Sequence, residues 1–254
     1  MLNILQMNNK LKVAELFISI QGEGLDIGLP CTFVRFNGCN LRCVWCDTPY
    51  TSLKPGPFEE YNTDTLLTEI LNQHTQGVCI TGGEPLIQPK TELVTLITAL
   101  KKENKFIDIQ TNGVLYWPEL ASLVSRFSVS PKFPSSQMNK LPSLKPEILK
   151  KYVDQHHDHK NVLLKFIVED KDSIEDAFSV IDATPGIADY QVPVIFQPQI
   201  DLVACLDVEK QRLLIKQLIE SEIFIAANRQ KYQHLNFRII PQIHKILWGD
   251  RKKV

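Results

Sequence analysis

Short apolar runs alternate with longer amphipathic stretches along most of this chain. The runs have the length of strands, and several are continuously apolar, as expected for strands that are buried on both faces. Strands are predicted at residues 13–20, 32–36, 78–81, 106–110, 127–130, 162–168, 194–197 and 237–240. Apolar residues at helical spacing predict helices at residues 63–74, 90–104, 144–154, 173–183 and 208–221.

The alternation of strands and helices predicts an α/β fold with a mainly parallel sheet, open or curved into a partial barrel. Residues 48–62 and 132–146 are rich in Pro and do not follow the alternation. Both follow a strand or a cysteine-rich loop, and loops at the carboxyl ends of parallel strands commonly build active sites. No internal repeat or linker divides the chain, so we expect one domain over residues 1–254.

Composition indicates an ordinary globular protein. Of the 254 residues, 44% are hydrophobic and 22% are charged, and the formal net charge is -1. Such a charge provides no basic field for nucleic acid or for an anionic membrane, and neither is expected as a partner. No apolar run approaches the roughly 20 residues of a membrane-spanning helix. The amino terminus lacks the pattern of a signal peptide, so we expect a cytoplasmic protein.

Three of the six cysteines lie close together after the second predicted strand, with the spacing Cys-x3-Cys-x2-Cys. They are Cys39, Cys43 and Cys46. Thiolates are the usual ligands of iron–sulfur clusters, and three of them leave one iron of a four-iron cluster open. S-adenosylmethionine can chelate that open iron. A structural zinc site, with Asp47 or a distant His as fourth ligand, is the alternative.

The remaining cysteines are scattered among apolar neighbours, where we expect small buried hydrophobic residues. They are Cys31, Cys79 and Cys205.

Further polar motifs end neighbouring predicted strands. Gly82-Gly83-Glu84-Pro85 follows one strand, where paired glycines allow close backbone approach and Glu84 can receive an ammonium group. Taken alone, this sequence is also that of an ordinary turn. Gln110-Thr111-Asn112-Gly113 and Ser130-Pro131-Lys132 end the next two strands. These polar residues are expected at the mouth of the barrel.

The loop after the first predicted strand reads Ile20-Gln21-Gly22-Glu23-Gly24. Its amide and carboxylate suit the donor-rich and acceptor-rich edge of a pterin or purine ring. Arg35, on the next strand, suits a carboxylate through its planar fork of donors. The alternative is that Glu23 is a solvated loop charge and Arg35 a surface cation.

Taken together, IQGEG, FVRFNGCNLRCVWCDT, TGGEP, QTNG, SPK and PQIHKILWG resemble the 7-carboxy-7-deazaguanine synthase family of radical S-adenosylmethionine enzymes. The resemblance runs from about residue 13 to residue 254, although a variable segment at about 141–189 carries few motif residues. It implies a modified (β/α) barrel and conversion of 6-carboxy-5,6,7,8-tetrahydropterin to 7-carboxy-7-deazaguanine with loss of ammonia. That lyase reaction belongs to the pathway to 7-deazapurines such as the queuosine of tRNA.

The resemblance also implies cofactors, partners and site residues. The cofactors are a [4Fe-4S] cluster, S-adenosylmethionine and Mg²⁺; the protein is expected to be a homodimer, reduced by flavodoxin or ferredoxin. No side chain is expected to act as catalytic acid or base. Cys39, Cys43 and Cys46, in the loop 37–48, would hold the cluster, and Thr48 the Mg²⁺. Cofactor contacts would be Trp45, Cys46, Asp47, Gly83, Glu84, Ser130, Pro131, Lys132 and Gln197. Substrate contacts would be Ile20, Gln21, Gly22, Glu23, Arg35, Thr81 and His244, with the tail 237–254 close to the substrate.

Two other classes of protein share parts of this pattern. An activase that abstracts hydrogen from a glycine of a partner protein would have the same cysteine loop, but IQGEG and QIHK argue against it. A small electron-transfer or zinc-binding protein would have no use for Gly82-Gly83-Glu84.

Overall fold

One continuous sheet, flanked by helices, forms the frame of the part of the chain that the structure describes. The structure is a computed structural model and describes residues 9–43, 46–52, 56–132, 145–169, 171–199, 216, 232 and 234–248. The strands within these ranges are β1 (Leu11–Ile20), β2 (Pro30–Phe36), β3 (Glu59–Tyr61), β4 (Gly77–Gly82), β5 (Phe106–Thr111), β6 (Arg126–Val129), β7 (Val162–Val168), β8 (Val194–Pro198) and β9 (Phe237–Ile239). The helices are α1 (Thr63–Leu71), α2 (Lys90–Lys102), α3 (Pro146–His159), α4 (Lys171–Ala183) and α5 (Ile243–Trp248).

The strand order is β3-β1-β2-β4-β5-β6-β7-β8-β9. From β2 to β9 each neighbouring pair is parallel, whereas β1 runs antiparallel to both β2 and β3. Helices α2, α3 and α4 each connect two parallel strands, because a parallel pair needs a long crossover. The prediction of a mainly parallel α/β sheet, open and consistent with a partial barrel, is confirmed.

The core lies between the sheet and its helices. Leu66 and Ile70 of α1, and Leu93 and Leu96 of α2, are fully buried, as their helical spacing predicts. Burial of each such side chain contributes on the order of 2 kcal/mol. The strands contribute a continuous apolar layer that includes Ile80, which is also fully buried.

Helix boundaries differ from the predictions where local backbone chemistry intervenes. Helices α1 and α2 end before the predicted His74 and Asn104, because these residues take the left-handed conformation, with φ of 56° and 55°. Helix α3 begins at Pro146, since proline fits the first turn of a helix. The predicted helix 208–221 lies outside the described residues except for Lys216.

Two short elements were absent from the sequence prediction. Strand β3 lies in the Pro-rich stretch 48–62 and pairs with the start of β1. Helix α5 follows β9 and has six residues. Both are shorter than the windows over which hydrophobic periodicity can be recognised.

Cys31 and Cys79 are 1% and 0% exposed, which confirms that they are buried hydrophobic residues. Cys205 lies outside the described residues. None of the described helices combines the length and the hydropathy that crossing a membrane requires.

Candidate active site

A cavity of about 220 Å³ opens at the carboxyl ends of the parallel strands. Almost every parallel strand contributes a polar side chain to its wall. These residues are Arg35, Thr81, Gln110, Ser128, Lys165 and Gln197. The loops that follow β1 and β2 complete the wall, so the motifs predicted to act together lie around one space.

The cysteine loop forms one end of this cavity. Cys39, Cys43 and Cys46 all line it; Cys43 is buried and the other two are half-buried. The amide of Cys46 donates to the carbonyl of Cys43 at 3.3 Å, which folds the loop back on itself. Among the described residues, no three His, Cys, Asp or Glu side chains form a group that could hold a single metal ion. Thiolates are the usual ligands of iron–sulfur clusters, so three thiols that line one cavity suit such a cluster.

Burial also tunes the cysteine thiols. It raises the pKa of Cys39 to about 11. Burial likewise raises the pKa of Cys43, although the nearby Lys132 ammonium acts in the opposite direction. Ligation of iron must therefore displace a proton from each of these thiols, as is usual for metal–thiolate sites.

The paired glycines hold the cysteine loop against the end of β4. The amide of Gly83 donates to the Phe36 carbonyl at 3.0 Å, and that of Glu84 donates to the Gly38 carbonyl at 2.8 Å. A Cβ atom at Gly83 would lie 1.8 Å from the oxygen of Gly38. Gly82 has a φ of +123°, a backbone angle that residues with a side chain rarely adopt. The glycines are therefore required for the close contact of two backbones.

Glu84, predicted as a cofactor contact, lies behind the cavity wall. Its side chain is 0% exposed and does not line the cavity. The carboxylate accepts hydrogen bonds from Thr111 Oγ1 and the Asn112 amide, both at 2.8 Å, and from the Leu86 amide at 3.0 Å. Its structural contribution is to tie the end of β4 to the end of β5, and its contact with a cofactor stays a prediction.

Other predicted cofactor residues do reach the cavity. Gly83, Ser130, Lys132 and Asp47 line it, and Lys132 Nζ donates to Ser130 Oγ at 2.7 Å. Pro131 is not part of the cavity lining, and Trp45 lies outside the described residues. Thr48 also lines the cavity; its hydroxyl is 3.8 Å from Cys46 Sγ.

Glu23 and its partners form another part of the cavity wall, here called the Glu23 end, and the Glu23 carboxylate receives three donors. Its Oε1 accepts from Gln197 Nε2 at 3.0 Å and from Gln242 Nε2 at 2.8 Å. Its Oε2 forms an ion pair with Lys165 Nζ. Burial opposes the charge, but Lys165 and His244 hold the pKa of Glu23 well below its usual range. Glu23 is thus a buried carboxylate anion, not a solvated loop charge.

The side-chain amide of Gln21 makes its hydrogen bonds with other groups of the protein. Its Nε2 donates to Asp108 Oδ2 at 2.7 Å, and its Oε1 accepts from the Glu23 amide at 3.2 Å. Asp108 also accepts from Ser128 Oγ at 2.9 Å. Burial raises the pKa of Asp108 to about 7, against the effect of the Ser128 hydrogen bond. Gln21 lines the cavity but acts on it mainly by holding the loop that carries Glu23.

The carboxyl-terminal segment docks on Gly22. The amide of Ile243 donates to the Gly22 carbonyl at 3.0 Å. A Cβ atom at Gly22 would lie 2.7 Å from His244 Nδ1, so this position has to be glycine. Burial lowers the pKa of His244, although the Glu23 carboxylate raises it. The motifs IQGEG and QIHK therefore form two halves of one contact.

Arg35 is half-buried against a carboxylate and an aromatic ring. Its Nε donates to Glu15 Oε2 at 2.8 Å, and Tyr50 OH donates to the same oxygen at 2.8 Å. The guanidinium carbon lies 5.9 Å from the centre of the Phe17 ring, which stacks on Phe33. Because the ion pair uses Nε, the terminal nitrogens remain suited to a ligand carboxylate. Arg35 is therefore not a surface cation.

Ile20 and Thr81, predicted as substrate contacts, also line the cavity. The Thr81 hydroxyl donates to Gln110 Oε1 at 2.9 Å. Among the described residues, Gln197 Oε1 and Gln199 Oε1 are buried acceptors without a hydrogen-bond partner. Both glutamines line the cavity, so a bound ligand with N–H or O–H groups would satisfy them.

Three residues of the cavity network were missed from the sequence: Asp108, Lys165 and Gln242. Asp108 and Lys165 each interrupt an apolar strand, which is a recognisable sign of a buried polar group with a task. Gln242 lies within the PQIHK motif, two positions before His244. Nothing in the sequence says that all three converge on Gln21 and Glu23.

Comparison with known proteins identifies relatives along the whole chain. The model of the radical SAM superfamily matches residues 33–167. A 7-carboxy-7-deazaguanine synthase of Methanospirillum hungatei is 38% identical over 190 residues, which are 73% of this chain and 73% of that protein. One of Thermoplasma acidophilum is 31% identical over 244 residues, covering 94% of this chain and 97% of that protein.

A solved structure shares the fold. The crystal structure of QueE from Escherichia coli superimposes with a TM-score of 0.66 at 23% identity, over 92% of this chain and 95% of that one. The cysteine loop and the glycine pair lie within residues 33–167, which the superfamily model matches. The chain therefore belongs to the radical SAM superfamily and, within it, to the 7-carboxy-7-deazaguanine synthase family.

Proposed function

We propose that this protein converts 6-carboxy-5,6,7,8-tetrahydropterin to 7-carboxy-7-deazaguanine with release of ammonia, a step of queuosine biosynthesis. The observation that carries this proposal is the cavity itself. Three thiols suited to a redox cluster line it, together with the buried Glu23 carboxylate, which suits ring N–H groups, and the half-buried Arg35 guanidinium, which suits the pterin carboxylate. An activase would need an opening that admits a protein loop, whereas this cavity of about 220 Å³ suits a small molecule.

The cysteine end fits the superfamily's cofactors. Cys39, Cys43 and Cys46 would hold the [4Fe-4S] cluster, which leaves one iron open to S-adenosylmethionine. When bound, the cluster supplies the electron that cleaves S-adenosylmethionine to the radical that starts the reaction. Gln197, with a buried acceptor lacking a partner in the described structure, would accept a hydrogen bond from the bound cofactor. Ser130 would add a further polar contact from the end of β6.

The Glu23 end of the cavity would hold the substrate. Arg35 presents guanidinium donors for the 6-carboxylate, and Glu23 presents acceptor lone pairs for the N–H groups of the pyrimidine ring. His244 covers this end and excludes water. Because these groups are held by their own partners before a ligand arrives, they fix the pterin in one orientation at little entropic cost.

Mg²⁺ would bind near Thr48. Its hydroxyl lies in the cavity with the Asp47 side chain beside it, and hard oxygen ligands of this kind suit Mg²⁺. The substrate carboxylate would complete the ligand set, and the ion would then serve as a Lewis acid and template.

The cluster needs an external electron, and we propose flavodoxin or ferredoxin as the donor. We also propose a cytoplasmic homodimer, following the family resemblance. The net charge of -1 supports a small-molecule enzyme that does not bind nucleic acid.

Anaerobic reconstitution tests the proposal. The protein, with iron and sulfide restored, is mixed with 6-carboxytetrahydropterin, S-adenosylmethionine, Mg²⁺ and dithionite, and products are identified by mass spectrometry. We expect a carboxylated deazapurine and one ammonia per turnover, and no turnover of tetrahydropterin that lacks the 6-carboxylate. Cleavage of S-adenosylmethionine without a deazapurine would reject this substrate, and stoichiometric zinc without acid-labile sulfide would reject the whole scheme.

A further inference from the structure

Lys165 occupies an unusual place in the sheet. It lies in the middle of β7, whose other six residues are apolar, and it is only 7% exposed. A buried lysine is stable only with a compensating partner. That partner is Glu23, which lies 142 positions earlier in the chain.

Lys165 is one of three donors that come to Glu23 from separate parts of the fold. Lys165 lies on β7, Gln197 on β8, and Gln242 immediately before α5. Glu23 itself follows the antiparallel strand β1 and lines the cavity. Of the three donors only Lys165 carries a charge, so among them only Lys165 compensates that of the carboxylate.

We infer that Lys165 is a positioning residue that acts through Glu23: its ammonium keeps the carboxylate an oriented anion that can accept the ring N–H groups of the pterin. This inference rests on the proposed function and extends it to a residue that makes no assigned contact with substrate. In a carboxylic acid one oxygen carries a hydrogen and becomes a donor. A protonated Glu23 would therefore present the wrong partner to a ring N–H.

The other charged groups near Glu23 do not replace Lys165. His244 faces it from α5, but burial lowers the pKa of this imidazole. Lys132 approaches from the end of β6, and burial also lowers its pKa. Cys79 on β4 faces the same space as a neutral thiol, because burial raises its pKa.

Asp108 and Asp47 act on Lys165 itself. Both carboxylates favour its ammonium form, as Glu23 does. Burial works against the charge, but the pKa of Lys165 is nevertheless raised. The lysine is therefore a stable cation at neutral pH, and its removal would leave Glu23 as a buried carboxylate that favours protonation.

Binding of 6-carboxypterin, a fluorescent and unreactive relative of the substrate, tests this inference on the reconstituted enzyme with S-adenosylmethionine. The variants are Lys165→Met, Lys165→Arg, Glu23→Gln and the double variant Lys165→Met/Glu23→Gln. Lys101→Met, at an exposed position in the last turn of α2, is the matched control and should bind as the wild type does. Each affinity is expressed relative to the wild type at the same pH, which cancels the titration of the ligand.

We expect Lys165→Met to weaken binding about tenfold or more at neutral pH, as for loss of a buried charged partner. The deficit should shrink as pH rises from about 6 to about 8, because a higher pH restores the Glu23 anion. Lys165→Arg should retain most of the affinity. Glu23→Gln should weaken binding equally at every pH, and adding Lys165→Met to it should have little further effect.

Three results would overturn the inference: wild-type affinity in Lys165→Met, a loss that is the same at every pH, or losses that add in the double variant. The last would indicate direct contact between Lys165 and the ligand. Thermal melts of each variant establish that it is folded. If the wild type neither binds 6-carboxypterin nor forms a deazapurine, the proposed function fails and this inference with it. If the wild type binds 6-carboxypterin and forms a deazapurine, and Lys165→Met binds with wild-type affinity, the inference is rejected and the proposed function stands.

Discussion

At one end of the cavity Cys39 and Cys46 are half-exposed, whereas at the other end Glu23 is 9% exposed and surrounded by donors. Among the described residues, the Cys46 sulfur has long contacts with two hydroxyl groups, at 3.5 and 3.8 Å, and the Cys39 sulfur accepts from the Leu41 amide at 3.3 Å. Glu23 has hydrogen bonds on both carboxylate oxygens. The comparison teaches that the Glu23 end is organised by a charged partner and two amides before any ligand arrives, whereas two of the three cysteines stay half-exposed.

Removing a sulfur from the cysteine end should have the largest effect. We expect Cys43→Ala to lose the cluster, and with it all cleavage of S-adenosylmethionine and all turnover, because two thiolates cannot hold a four-iron cube. Iron and acid-labile sulfide analysis measures the first loss. Cys31→Ala, which removes a buried sulfur outside the loop, should keep a full cluster. An intact cluster in Cys43→Ala would show that this residue is not a ligand.

The backbone contact that holds the cysteine loop should be the next most sensitive feature. Gly83→Ala places a methyl group against the Gly38 carbonyl and should lower the free energy of unfolding by about 3 kcal/mol. Urea denaturation measures this change, and iron content should fall in parallel. Gly56→Ala is the control, since its Cβ would meet Tyr50 at an ordinary 3.4 Å. Equal stability of the two variants would contradict the close contact.

Arg35→Ala should uncouple cleavage of S-adenosylmethionine from turnover of the pterin. Loss of a half-buried charged donor should weaken pterin binding about a hundredfold, or about 3 kcal/mol. Cleavage of S-adenosylmethionine without product should continue, because the cysteine end is untouched. Titration with substrate and assay of 5′-deoxyadenosine measure the two effects. Arg35→Lys keeps the charge without the planar fork and should recover part of the affinity; unchanged affinity in Arg35→Ala would remove its assigned role.

The smallest expected effect is on the pH dependence of stability, through the Asp108 carboxyl group that accepts from Gln21. Asp108 has a pKa of about 7 in the folded protein, against about 4 in an unfolded chain. Between these values the folded protein keeps a proton that the unfolded chain has lost, so the free energy of unfolding falls as pH rises. The slope is at most about 1.4 kcal/mol per pH unit.

Asp108→Asn should remove this slope, since an amide does not titrate yet can accept from Gln21 and donate to Ser128. The stability of the variant relative to the wild type should therefore rise between about pH 4 and about pH 7 and stay constant above. Urea denaturation across that interval measures it. A difference that does not change with pH would mean that Asp108 titrates normally.

Hydrophobic patterns correctly predicted the elements whose position depends on the periodicity of a single segment. The apolar faces of α1 and α2 and the central parallel strands follow from periodicity within each segment. The antiparallel direction of β1, the strand β3 and the six-residue helix α5 depend on what each segment meets in space. Periodicity in a short segment contains no such information.

The candidate site divides in the same way. The cysteine spacing identified one part of the cavity wall because the three predicted ligands are neighbours in the chain. The Glu23 end depends on contacts such as Glu23 with Gln242, which are 219 positions apart. Glu84 shows a different limit, since the sequence does not reveal that its carboxylate accepts three hydrogen bonds within the protein. Polarity at a strand end locates a site without saying which atoms face into it.

The docking of residues 242–244 on Gly22 has a consequence for the order of assembly during translation. The cysteine loop and most of the sheet emerge from the ribosome long before Gln242 and His244. A nascent chain can thus complete its metal-binding end early, while Glu23 still lacks one donor and the cover over Gly22. The pocket therefore closes only after residues 242–244 have been made.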